Sequence, residues 1–145
     1  MLLSMDAGAP LAARVGFGAA RGLPPPAVRA LGREWSHCFV SLRYAPPFGW
    51  AHVEATLART HVVLSPLPLP WAAAERWALL DAEDLGRLAA SADARPRWRL
   101  APYTCVEEAA RLLGLARPPL TPRGLWKRLI ALGAATYPQE IRDKG

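Results

Sequence analysis

The 145-residue chain lacks the sequence patterns that are typical of disulfide-rich and membrane-spanning proteins. It has only two cysteines, Cys38 and Cys105, so at most one disulfide could form, and a reducing compartment would disfavour it. Apolar runs are broken by charge or proline well short of the roughly 18 residues of a transmembrane helix. Residues 1–6 show neither the basic start nor the apolar stretch of a signal peptide. We therefore expect synthesis in the cytoplasm, and transport without a signal peptide to a virion or cell envelope is left open.

Lysine is nearly absent, although the chain is basic. Of 18 Lys and Arg residues only Lys127 and Lys144 are lysines, and the formal net charge is +6. The cations are scattered, with no basic run and no alternation of basic and aromatic residues, so we expect no specific nucleic-acid partner. A mildly basic surface would equally suit an anionic polymer such as bacterial cell wall. Nothing in the sequence indicates an oligomeric state.

Closely spaced metal ligands of the CxxC or HExxH kind are also missing. We therefore expect no metal and no cofactor, and a site built from Cys105, His37 and His52 is only the alternative. The length and the hydrophobic content of 52% are those of one packed domain. We place it at residues 13–133, after a flexible lead at 1–12 and before an irregular tail at 134–145.

One cysteine lies in a segment with strong helix signals. Thr104 followed by Glu107 is a capping-box pattern, so we expect a helix to begin at Thr104 and to end at Gly114. Cys105 then occupies the first helical position, where the macrodipole favours a thiolate and lowers the pKa. This placement prepares a nucleophile if a base lies nearby. Otherwise Cys105 is a packing residue.

Two further segments alternate between apolar and polar residues and predict strands. They cover residues 36–44 and 50–57, and residues 60–64 would complete an antiparallel meander. His37 and Glu54 both lie on the polar faces, so pairing of the two strands would bring them to one side of the sheet. Cys38 lies on the apolar face, where we expect it to serve packing alone.

The remaining elements are less sharply defined. Residues 14–18 predict a short strand, and residues 71–90 predict a helix or two helices broken near Asp81. Residues 95–100 indicate a strand or an extended passage. Thr121 and Pro122 predict the start of a last helix. The expected fold class is α+β, with a small antiparallel sheet packed against the helix that carries Cys105.

The order of these parts resembles that of a known family. A strand that opens Ser36-His37, a strand that ends Val53-Glu54-Ala55, a cysteine-bearing helix and a proline-led helix follow one another. This order resembles the circularly permuted NlpC-type peptidases, a branch of the papain-like superfamily. In unpermuted members the cysteine helix precedes the histidine strand. The resemblance extends from about residue 15 to residue 132.

The resemblance implies a thiol hydrolase that cleaves amide or peptide bonds, with bacterial cell-wall peptides as the expected substrates. It would make Cys105 the nucleophile, His37 the general base and Glu54 the group that orients the imidazole. Tyr103 would help to bind the oxyanion. His52, on the same strand face as Glu54, is the alternative orienting group.

Two departures and two alternatives accompany this hypothesis. Cys38 follows the histidine where such strands usually carry a small or aliphatic residue, and the loop at 45–49 is short and proline-rich. The first alternative is a catalytically inactive binding or assembly module of a phage particle or cell-wall complex. The second is a related acyltransferase that acts on lipid. The reactivity of Cys105 would separate the enzymes from the inactive module.

Overall fold

The computed structural model describes residues 8–19, 25–56, 59–91, 105–115 and 119–138. They form a mixed α+β fold around a six-stranded sheet in the order β4-β3-β2-β1-β5-β6, in which every neighbouring pair is antiparallel. The strands are β1 (Ala12–Gly18), β2 (His37–Tyr44), β3 (Gly49–Ala55), β4 (Thr60–Ser65), β5 (Arg76–Asp81) and β6 (Ala135–Tyr137). The α+β class is thus confirmed.

Four helices accompany the sheet. They are α1 (Pro25–Leu31), α2 (Ala82–Ser91), α3 (Cys105–Leu113) and α4 (Pro122–Ala131), and short 3₁₀ turns occupy Arg33–Trp35 and Trp71–Ala73. Within the described part of the chain, no helix is both long and apolar enough to cross a bilayer.

The predicted meander of β2, β3 and β4 is confirmed. The register pairs Val40 with Val53 and Val53 with Val62, so alternate side chains of neighbouring strands share a face. One face of the sheet is covered by α2, α3 and α4, and the main core lies between them. Its sheet side is formed by Ala13, Val15, Phe17, Cys38, Val40, Leu42, Ala78 and Leu80.

Helix α3 packs mainly on β2. Its buried face consists of Val106, Glu108, Ala109, Ala110 and Leu113. Gly114 has φ 76 and ends the helix in a Schellman motif, because Leu115 N–H donates to the Ala110 carbonyl at 2.8 Å and Gly114 N–H to that of Arg111 at 3.2 Å. The predicted end at Gly114 is confirmed. Thr104, the predicted first residue, lies outside the described residues.

Helix α4 begins as its sequence predicts. The Thr121 hydroxyl accepts a hydrogen bond from the Gly124 N–H at 3.1 Å, and Pro122 occupies the first turn. Trp126 on the buried side of α4 contacts Phe17 and Trp35, with ring centroids 5.3 and 5.6 Å away. This aromatic cluster connects α4 and β1 to the residues just before β2.

The predicted helix over residues 71–90 is wrong in its first half. Residues 76–81 form β5, which pairs with β1 and buries Trp77, Ala78 and Leu80. Helix α2 starts only after Asp81, whose carboxylate accepts from the Asp84 N–H at 2.8 Å while the Asp84 carboxylate accepts from the Asp81 N–H at 3.1 Å. This reciprocal cap fixes the boundary, and pairing with β1 overrides the helix propensity of the preceding residues.

The predicted irregular tail also needs correction for three residues. Ala135–Tyr137 form β6, which pairs with β5 at the edge of the sheet. Trp71 covers this region from the second face of the sheet, since its ring stacks on Tyr137 at 4.3 Å and its carbonyl accepts from Trp77 Nε1 at 2.8 Å. The strand predicted at 95–100 lies outside the described residues.

Candidate functional site

The candidate site lies where β2 begins and α3 begins. Cys105 is the first residue of α3, is half-buried, and packs against the core cluster that contains Cys38. Two carboxylates, Glu107 and Glu108, occupy the first turn of α3, where negative charge is favourable to the helix dipole.

The segment that leads into His37 is held by aromatic packing. His37 is the first residue of β2, and Trp35, two residues before it, belongs to the cluster with Phe17 and Trp126. The Arg76 guanidinium lies 4.7 Å from the centre of the Trp35 ring and binds Glu34 at 2.9 Å. The approach of the chain to His37 is therefore fixed by contacts from β1, β5 and α4.

Glu54 of β3 binds the imidazole directly. His37 Nε2 lies 2.7 Å from Glu54 Oε1. The side chain of His37 is 17% exposed and that of Glu54 is 51% exposed, so the carboxylate remains hydrated on one side. The antiparallel pairing of β2 with β3 produces this contact, as the shared polar face predicts.

The ionisation of His37 also depends on Cys105. Burial lowers the pKa of His37, but the hydrogen bond and the charge of Cys105, followed by those of Glu54, outweigh it and leave the pKa above its usual 6.5. Strand alternation directs His37 away from the helix layer, but His37 is the first residue of β2 and its pKa responds to Cys105, the first residue of α3.

The Cys105 thiol is strongly acidic. Its pKa falls from 9.0 to about 4, first because Cys38 donates its S–H to the Cys105 sulfur. Burial opposes this shift, while the hydrogen bond from His37, the backbone N–H of Cys38 and the charge of His37 add to it. With the pKa of Cys105 lowered to about 4 and that of His37 raised, a thiolate and an imidazolium coexist between pH about 4 and the pKa of His37.

The sequence did not predict the interaction of Cys38 with Cys105. The Cys38 side chain is fully buried in the core, as predicted, but it also donates to Cys105, and that bond together with burial raises its own pKa well above the usual value. The sequence carried one signal of this contact. Cys38 follows His37 and points to the opposite face, which is the face that α3 covers.

His52 occupies a different place from Glu54. Its Nδ1 is hydrogen-bonded to Ser41 Oγ at 2.8 Å, its ring stacks near Trp50, and only 8% of the residue is exposed. Burial, the largest cause, lowers the pKa of His52. In the described structure the group bound to His37 is Glu54, and His52 belongs to a buried pair with Ser41.

Tyr103, the predicted oxyanion-binding residue, lies outside the described residues. Among the residues that are described, no group of three or more histidine, cysteine or acidic side chains is arranged to hold a metal ion.

Comparison with protein-family models, with curated proteins and with solved structures found no match to this chain. Any functional assignment therefore depends on the chemistry of Cys105, His37 and Glu54.

Proposed function

We propose that the protein is a thiol hydrolase that cleaves an amide or peptide bond, with Cys105 as nucleophile, His37 as general base and acid, and Glu54 as the orienting group. The observation that carries this proposal is the 2.7 Å contact of His37 with Glu54, together with the mutual effect by which Cys105 raises the pKa of His37 and His37 lowers that of Cys105. A nucleophile, a base and an orienting acceptor in hydrogen-bond sequence are what covalent catalysis by a thiol requires.

The proposed reaction begins with the Cys105 thiolate. The pKa of about 4 means that the nucleophile is already ionised at neutral pH, so no proton needs to leave it before attack on the carbonyl carbon. The His37 imidazolium then donates its proton to the leaving amine, which completes a thioester on Cys105. Neutral His37 next removes a proton from water, and the resulting attack on the thioester releases the acid and restores the thiolate.

Two groups support charge during these steps. The Glu54 carboxylate, bound to Nε2, holds the ring and stabilises its cation, which leaves Nδ1 to face the sulfur. The first backbone N–H groups of α3 point toward the end of the helix at which Cys105 lies. They would donate to the oxyanion that forms on the carbonyl.

The proposed fold assignment is a circularly permuted papain-like domain. It is supported by the chain order, in which the histidine strand β2 and the acidic strand β3 precede the cysteine helix α3 and the proline-led helix α4. Bacterial cell-wall peptides are the proposed substrates because of this resemblance.

The proposal is tested by incubating the protein with purified peptidoglycan fragments and, separately, with a simple acyl ester. Mass spectrometry should detect cleaved peptides and an acyl adduct on Cys105, both absent in Cys105→Ala. Acyl transfer from the ester to an added lipid alcohol, without cleavage of the fragments, would favour the acyltransferase. An intact substrate and an unmodified Cys105 in both mixtures would contradict the enzyme and favour a binding module.

A further inference from the structure

The two cysteines of the chain lie in the same part of the core. Cys38 lies on the core face of β2, opposite Phe17 of β1, and Cys105 packs against the same core from α3, the helix that packs mainly on β2. Both thiols are free, and the thiol and the backbone N–H of Cys38 are among the groups that lower the pKa of Cys105. The sequence separates the two residues by most of the domain, so the fold itself creates this pair.

The two thiols differ sharply in their access to solvent. Cys38 is 0% exposed, whereas Cys105 is only half-buried. The accessible thiol is also the ionised one, and thiolates react with peroxides much faster than thiols do. An oxidant in solution therefore meets Cys105 first, and Cys38 can take part only through Cys105.

The proposed hydrolysis gives Cys38 no step of its own. An aliphatic side chain of similar size would fill the same place in the core beside Val40 and Phe17. A buried thiol packed beside a reactive sulfur can do two things that an aliphatic group cannot: it can hydrogen-bond to the thiolate, and it can form a disulfide with it. We propose that Cys38 is the resolving thiol of Cys105, so that a peroxide converts the pair into an intramolecular disulfide.

The chemistry proceeds in two balanced steps. The Cys105 thiolate attacks one oxygen of hydrogen peroxide, the O–O bond breaks, and the products are a sulfenic acid on Cys105 and hydroxide. The Cys38 sulfur then attacks the sulfenic sulfur, an S–S bond forms, and the sulfenic oxygen leaves with the thiol proton as water. A disulfide closes at about 2.05 Å between sulfurs, so the two sulfurs must approach each other from their places in the shared core.

Disulfide formation would switch the nucleophile off reversibly. It removes the thiolate from Cys105 and prevents further oxidation to the irreversible sulfinic acid. A dithiol reductant restores the pair by exchange, in which the protein disulfide is reduced to two thiols and the dithiol is oxidised to its own disulfide.

The native chain provides the first test. After treatment with hydrogen peroxide and blocking of free thiols, the intact mass should fall by about 2 Da. Tryptic peptides 34–43 and 100–111 should be joined, and dithiothreitol should separate them. A gain of about 32 Da at Cys105 with Cys38 still free would overturn the proposal, because it marks a sulfinic acid formed without a resolving thiol. Disulfides that join two chains would overturn it as well.

Two variants sharpen the test. In Cys38→Val, which keeps an apolar side chain in the core, the sulfenic acid of Cys105 should persist and be trapped by dimedone in most chains, against a trace in the native protein. In Cys105→Ser, Cys38 should resist peroxide. Oxidation of Cys38 in that variant as fast as that of Cys105 in the native chain would overturn the proposal.

A thermal melt shows whether each variant folds. If Cys38→Val does not fold, the native peptide map and the peroxide resistance of Cys38 in Cys105→Ser still test the proposed disulfide. All these readouts are masses. Loss of the proposed hydrolase function would therefore leave this inference standing, and its failure would leave hydrolysis untouched.

Discussion

Nε2 of His37 and Oε1 of Glu54 lie 2.7 Å apart, although the two residues are 17 positions apart in the chain. The contact crosses from β2 to β3, so the antiparallel sheet determines which imidazole nitrogen is occupied. Nδ1 is then the nitrogen that remains to exchange a proton with Cys105.

The alkylation rate of Cys105 should depend little on pH near neutrality. Its pKa of about 4 lies below the usual 9.0, so the thiolate is populated at every pH above about 5. The rate with iodoacetamide should therefore be nearly flat from pH 6 to 8, where the rate at an ordinary thiol rises about tenfold per pH unit. Peptide mass spectrometry of quenched samples measures the rate. A midpoint near pH 8 to 9 would show that Cys105 is an ordinary thiol.

Cys38 should be labelled far more slowly than Cys105 in the native protein. It is fully buried and its pKa is raised, whereas Cys105 is partly accessible and ionised. The matched control is Cys105→Ser, in which Cys38 should label slowly in buffer and readily in denaturant. Equal rates at the two native cysteines would contradict the difference in burial and pKa.

His52 should be dispensable for the charge state of Cys105. Its Nδ1 is bound to Ser41, so His52→Gln should lower stability by about 1 kcal/mol through weaker packing and a changed hydrogen bond. The alkylation profile of Cys105 should stay that of the native protein. Its matched counterpart, Glu54→Gln, removes the charge and should lower the pKa of His37, because Glu54 now raises it. A changed profile in His52→Gln alone would make His52 the orienting group instead.

The sequence predicted those parts of the fold and site that depend on local pattern. Alternation in β2 and β3 was enough to place His37 and Glu54 on one face, and Gly114 was enough to end α3. β5 was missed because Arg76–Asp81 contains good helix formers, and only pairing with β1 makes it a strand. Alternation likewise assigned Cys38 to the core but could not show which helix residue would meet it there.

Gly16 should tolerate no side chain, because the ring of Phe39 lies directly over it. A Cβ on Gly16 would lie 2.7 Å from Cε1 and 2.9 Å from Cε2 of Phe39, whose ring is packed edge-on against Trp77. Gly16→Ala should therefore destabilise the protein by about 1–3 kcal/mol, as measured by chemical denaturation.

Gly86 is the matched control. It lies in α2, where an added Cβ meets no atom within 4 Å, so Gly86→Ala should stabilise the protein by about 0.5–1 kcal/mol. Equal effects of the two substitutions would mean that Phe39 does not pack on β1 as described.

Turnover should require the ion pair between Cys105 and His37, and this gives its pH dependence a definite direction. Activity should rise as Cys105 ionises through pH about 4, and should fall as His37 loses its proton above its usual 6.5, because the leaving amine then lacks its acid. Glu54→Gln should move the alkaline limb to lower pH and reduce turnover by about tenfold to a hundredfold, a modest loss for a carboxylate that is half exposed.

Cys105→Ala and His37→Ala should each remove nearly all turnover, and the double variant should lose no more, since members of one catalytic unit fail together. Initial rates from pH 3 to 10 on any substrate that the native protein cleaves measure all of these effects. The proposed roles would not survive a His37→Ala variant that retained full turnover with an unchanged alkaline limb, because another group would then be supplying the proton.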